Sequence, residues 1–238
     1  MKGRLTQDRP DNNLLVRVHS NGLYYAISDE NDVVILQQTI NIPDQKLKDV
    51  HFLEHFFDQP EFRVLSENVS VVFEGFDYQL IPNELFREED VLRMFNLQFG
   101  KGQDCRLLYN LLPQWRGHLV FRVDKSLVRF LEKKYPEADF EHQVFRTLRK
   151  KVTRNTDTVY VNLQKDLIDV VVVKDSYLFL VNSFVIKTNE DICFHILNLF
   201  EQLDLDLKNI PLNVFSENTV NEKLINMLKQ YVTTVEVG

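Results

Sequence analysis

The chain has 238 residues, 44% of them hydrophobic and 26% charged, which supplies a core for one large domain or two small ones. A net charge of -7 and a pI near 5.4 give an acidic surface that repels phosphate backbones, so nucleic acid is not an expected partner. Seven glycines against eighteen phenylalanines leave little material for glycine-rich phosphate loops.

The opening stretch, MKGRLTQDRPDNN, lacks the apolar region of a secretory signal. No apolar run approaches the roughly 20 residues of a membrane helix, and the run Val170 to Val173 suits a buried strand. Cys105 and Cys193 stand far apart without metal-type spacing and read as reduced and buried. The expected location is the cytoplasm.

Three strands follow the opening. Leu14, Val16 and Val18 recur at every second position, as do Leu23, Tyr25 and Ile27, and then Val33 and Ile35. Ser20-Asn21-Gly22 and Glu30-Asn31-Asp32 supply the turns. Leu47, Val50, Leu53 and Phe57 form the stripe of a helix, with Asp44 as its expected N-cap. NVSVVFEG from Asn68 reads as a further strand. PNELFREEDVLRMFNLQF then reads as a helix with Leu85, Val91, Leu92 and Phe95 inward. CRLLYNLLP and GHLVFRV read as strands. Asp124 is expected to cap a helix carrying Leu127, Phe130 and Leu131, which stops before Pro136. HQVFRTLRKKV closes the region as a helix, and Lys150 to Asp157 reads as a linker.

The pattern then begins again. A shift of 145 positions lays Leu14, Val16 and Val18 on Val159, Val161 and Leu163, Leu23, Tyr25 and Ile27 on Ile168, Val170 and Val172, and Val33 and Ile35 on Leu178 and Leu180. Lys165-Asp166 and Lys174-Asp175-Ser176 are the second set of turns. The stripe Cys193, Ile196, Leu199 and Leu203 repeats the first helix at a shift of 146, with Asn189 as its expected cap. IPLNVFS from Ile210 repeats the following strand. Leu224 to Val232 reads as a helix and TTVEVG as an edge strand. The order β-β-β-α-β is therefore written twice, and the expected division is 12–152 and 153–238.

Duplicated halves of this order resemble the actin, sugar-kinase and Hsp70 superfamily, in which two ribonuclease-H-like domains close over a nucleotide. The second half, from VYVNLQKDLIDVVVVKDSYLFLVNSF to NIPLNVFS, resembles the actin-like proteins of type IV pilus assembly. The whole chain, with LIPNELF and VFRVDKSLVRFLEKKYP, resembles an uncharacterised family of Bacteroides-type bacterial proteins with an actin-like ATPase fold. The resemblance implies an α/β fold of two ribonuclease-H-like halves. It also implies an Asp-x-Gly at the end of each first strand, where the acid holds Mg²⁺ and the glycine admits phosphate.

Those positions fall on Arg17 and His19 in the first half and on Asn162 and Gln164 in the second. An amide is a poor ligand for a hard cation, and the side chains of His19 and Gln164 stand where phosphate would lie. The Gly-Gly pair that the superfamily carries on its adenosine side falls on FSENTVNEKL, which has no glycine. The nucleotide site therefore reads as degenerate, and no cofactor is expected. Asp169, on the return strand, offers a substitute carboxylate of little weight. The face carrying Arg17, His19, Asn162 and Gln164 reads as solvated, with binding of an anion by Arg17 as the alternative.

HFLEH, His51 to His55, matches the inverted zinc-peptidase motif through His51, Glu54 and His55. The repeated helix, DICFHILNLF, lacks it, and the histidines read as the outer flank of an amphipathic helix. Trp115 reads as a packed loop aromatic and FRTLRKK as a solvated helix flank. The leading expectation is a non-catalytic binding or scaffold protein whose partner is another protein. A nucleotide-binding protein or ATPase with a non-standard site is the alternative.

Overall fold

The computed structural model describes residues 12–19, 21–31, 33–58, 68–216 and 220–238. The opening segment, the turn residues Ser20 and Asp32, and residues 217–219 of FSENTVNEKL lie outside the described residues. The chain divides into two compact units, Met1–Arg146 and Thr147–Gly238.

The first unit opens with β1 (Asn13–His19), β2 (Gly22–Ser28) and β3 (Val34–Asn41). Gly22 has a φ of +148°, and a Cβ there would lie 2.0 Å from the Ile40 carbonyl oxygen, so the turn requires glycine. Then come α1 (Asp44–Leu47), α2 (Val50–Phe57) and β4 (Asn68–Phe73). An insertion follows: β5 (Tyr78–Pro82), α3 (Glu88–Phe99), β6 (Cys105–Leu112) and β7 (Gly117–Asp124), with Trp115 on a short 3₁₀ turn between the last two. The unit resumes with α4 (Lys125–Lys134) and β8 (Asp139–His142), and α5 (Gln143–Lys150) leads onward. The second unit holds β9 (Thr158–Leu163), β10 (Leu167–Lys174), β11 (Tyr177–Val185), α6 (Asn189–Gln202), β12 (Leu212–Ser216), α7 (Glu222–Leu228) and β13 (Val235–Val237).

The main sheets run β3-β2-β1-β4-β8 and β11-β10-β9-β12-β13. Position by position they agree in sense: the first three strands are antiparallel, and the next two pair parallel. Both sheets carry a register irregularity at the same place, between Ile27 and Ser28 in one and between Val172 and Val173 in the other. The repeat of apolar alternation is thus a repeat of backbone. Leu14, Val16, Leu23, Tyr25 and Ile27 are buried, as are Val159, Val161, Ile168, Val170 and Val172. In the second unit the latter five join Cys193, Ile196, Leu199 and Phe200 of α6 in one core cluster.

The third strands correct the 145-residue shift. Val34 and Leu178 occupy equivalent positions, as do Leu36 and Leu180, a shift of 144. Val33 and Ile35 do not form a core stripe and are 60% and 62% exposed; Val34 and Leu36 are exposed as well, since β3 is an edge strand with little packed on either face. The caps also differ from expectation. The first helix is broken at Lys48, and Asp49, not Asp44, accepts from the amides of His51 and Phe52. Thr188, not Asn189, caps α6 through a capping box with Asp191. Asp124 caps α4 as read, accepting from the amides of Ser126 and Leu127.

In the insertion, β5-β7-β6 form an antiparallel sheet, and Ile81, Val91, Phe95 and Val120 make its core. Leu85 and Leu92 do not turn inward; they are 60% and 57% exposed. Strands β5 and β8 were not among the elements expected from the sequence.

Candidate functional site

The expected phosphate-clasp positions sit at the ends of β1 and β9, and both are built into hydrogen-bonded networks. Arg17 is buried, so the solvated reading of this face is corrected. Its Nη1 donates to Gln143 Oε1 at 2.8 Å and to Glu74 Oε1 at 3.4 Å. Gln143 opens α5, and Glu74 follows β4, where its own amide donates to the Val18 carbonyl. Burial lowers the Arg17 pKa, and the Glu74 carboxylate opposes that shift. Burial raises the Glu74 pKa, again opposed by its partner. The ion pair is half-buried, with the Arg17 side chain 5% and the Glu74 side chain 16% exposed, and its integrity depends on both members.

In the second unit, Asn162 is buried and faces Asp169 across the β9–β10 hairpin. The Asp169 carboxylate is also buried. It accepts from Asn162 Nδ2 at 3.3 Å, Gln164 Nε2 at 2.6 Å and Ser183 Oγ at 2.7 Å. Three neutral donors thus converge on the one acid of β10, from β9, the turn that follows it and β11. The equivalent cross-strand pair in the first unit is Arg17 opposite Tyr24, and Tyr24 donates instead to Gln37 on β3.

Glu74, Gln143 and Ser183 were not singled out in the sequence, and Asp169 was undervalued. A signal existed for Asp169: the short turn at Lys165-Asp166 sets the hairpin register and so places it opposite Asn162. No local pattern marks Gln143, which lies 126 residues from Arg17.

His19 borders a cavity of about 460 Å³ in the first unit, at the carboxyl ends of β1 and β4. Open α/β sheets bind ligands at such strand ends. The carboxylates along this cavity are already engaged. Glu74 meets Arg17, Asp77 meets Arg122, Asp44 meets Lys48, and Asp124 accepts from two amides of α4. His142 also borders it and is buried. Its Nδ1 accepts from the Val144 amide at 3.2 Å, and desolvation lowers its pKa to about 3. It is a neutral core imidazole packed against Tyr78 and Phe121.

His51, Glu54 and His55 lie on α2. The His51 side chain is 97% exposed, and its Nδ1 lies 3.9 Å from Glu54 Oε2. Glu54 also meets Lys133, and Lys134 borders the same hollow, so ammonium groups stand where a cation would approach. Among the described residues, no group of three or more His, Cys, Asp or Glu is placed to hold a metal ion. Cys193 lies in the core of the second unit, and the neighbouring His195 ring stacks instead on Phe184.

The two sheets of like strand order belong to the actin-like ATPase fold. A Bacteroides thetaiotaomicron VPI-5482 protein of that fold and of unknown function is similar at a TM-score of 0.78 and 24% identity, over 99% of this chain and 94% of that one. The PilM–PilN type IV pilus biogenesis complex gives 0.54 and 9% over 97% and 88%. The ethanolamine utilization protein EutJ from Carboxydothermus hydrogenoformans gives 0.52 and 8% over 96% and 85%. No curated protein sequence matches the chain. Residues 4–235 match the model of DUF3822, a protein family of unknown function, and the chain belongs to that family. Among the described residues, no helix is long and apolar enough to cross a membrane.

Proposed function

We propose that this chain is a non-catalytic protein of the actin-like fold that serves as a binding or scaffold module for another protein. The observation that carries the reading is the internal engagement of both clasp positions. An incoming triphosphate at Arg17 would have to displace Glu74, a half-buried carboxylate of its own sign. At Asn162 the nearest acid is Asp169, already surrounded by three donors. Neither strand end offers the pairing of a carboxylate for Mg²⁺ with bare backbone for phosphate. The acidic net charge supports a protein partner over nucleic acid. The two free cysteines support a reducing, cytoplasmic location. That one similar structure is a complex of PilM with PilN is in keeping with a protein-binding role.

A second reading, a nucleotide site of non-standard design, is favoured by one observation. A buried carboxylate, Asp169, lies directly across the hairpin from the expected acid position. Calorimetric titration with Mg·ATP separates the two. The scaffold reading expects no heat of binding, and micromolar affinity lost in Arg17→Glu or Asp169→Ala would defeat it.

A further inference from the structure

Among the described residues, the insertion between β4 and α4 has no counterpart in the second unit, where α7 is the next element after β12. Its sheet is only partly covered by α3. Ile81, His118 and Leu111 are cross-strand neighbours, and so share one face. Ile81 is buried under the helix, whereas Leu111 is 52% exposed. Beside it the Phe86 ring stacks on His118 at 3.7 Å, and Tyr109 meets both rings edge-on. Tyr109 is 49% and Leu85 60% exposed. Desolvation lowers the His118 pKa, and the ring lies stacked between the patch and the strand rather than free in solvent.

This patch is rimmed by acid. Glu84 precedes it, and Glu88, Glu89 and Asp90 form the first turn of α3. Arg116 is paired with Glu84, and Tyr109 donates to Glu88 at 2.8 Å, which raises the Tyr109 pKa. Four carboxylates against Arg87 and Arg116 leave the rim negative. Aromatic and aliphatic side chains held rigidly inside a charged rim are the anatomy of a protein-docking surface.

We infer that this open end of the inserted sheet docks a segment of another protein, with aliphatic or aromatic anchors flanked by lysine or arginine. The inference rests on the protein-binding reading above and adds the place and the chemistry of the partner. The rings supply a preformed surface, and the rim attracts and orients the basic flanks.

Selection of random short peptides from a phage library on the immobilised full chain tests it. The enriched peptides are expected to be apolar and net positive, and to bind less tightly as salt rises. A chain carrying Leu85→Asp with Leu111→Asp should bind them at least about tenfold more weakly. Both positions are already exposed, so that variant should fold. Glu89→Gln alters charge alone and should weaken binding and flatten the salt dependence. Acidic or unenriched selections, or equal binding by the Leu85/Leu111 variant, overturn the inference. The calorimetric experiment with Mg·ATP is independent of this patch. A null result there with peptides that ignore the patch would remove the docking site and leave the scaffold reading standing.

Discussion

The two halves share strand order, pairing sense and the position of a register irregularity, yet the residues at their centres solve different problems. At equivalent cross-strand positions the first half sets Arg17 opposite Tyr24, and the second sets Asn162 opposite Asp169. In the first the buried charge is a cation, answered by Glu74 and Gln143 from outside the hairpin. In the second it is an anion, answered by Asn162, Gln164 and Ser183 from the hairpin and its neighbour. The same backbone therefore accommodates opposite charges, provided each buried polar group finds partners. Apolar alternation fixes the sheet, while the polar positions have diverged around it.

The largest expected break of this comparison is Arg17→Met. It leaves the half-buried Glu74 beside no guanidinium and should cost about 3 kcal/mol, most of it regained in Arg17→Met with Glu74→Met. Trp115, the sole tryptophan, lies in the first unit, so its fluorescence during urea unfolding follows that unit. Asp169→Ala strands three donors and should cost about 2–3 kcal/mol by circular dichroism. Tyr24→Phe, at the equivalent position, loses only an exposed hydrogen bond and should stay within about 0.5 kcal/mol. Equal costs at those two positions would erase the distinction between the halves.

Acid should weaken the first unit in particular. His142 has a folded pKa of about 3 against an ordinary 6.5, so between those values the unfolded chain takes a proton that the folded chain refuses. Its contribution is complete above 6.5 and is lost as pH falls, about 2 kcal/mol by pH 5. Glu74 acts with the opposite sign, because its raised pKa favours the folded state as the solution approaches the carboxylate range. The fluorescence midpoint should therefore fall from pH 6.5 to 5 in the parent chain and stay flatter in His142→Phe. The smallest effects concern the helix caps. Asp49→Ala and Thr188→Ala should each cost about 1 kcal/mol, with much less at Asp44 and Asn189.

Much of the architecture was legible because period-two alternation survives in both meanders. What escaped has physical causes. The irregularity beside Ser28 shifted the third strand by one residue, which no hydrophobic count reveals. The four-residue strand Asp139–His142 carries three polar residues, and Tyr78–Pro82 ends in proline, so neither reads as a strand. At the candidate site, alternation placed Arg17 and Asn162 on the correct side of their strands. It was silent on what covers that side, and burial, not solvent, decides their chemistry.

The most direct test is a crystal of the protein grown with Mg·ATP at millimolar concentration. Undisturbed Arg17–Glu74 and Asp169 networks, with no nucleotide against either strand end, are the predicted result. A triphosphate with its metal held beside Asn162 and Asp169 would contradict the account.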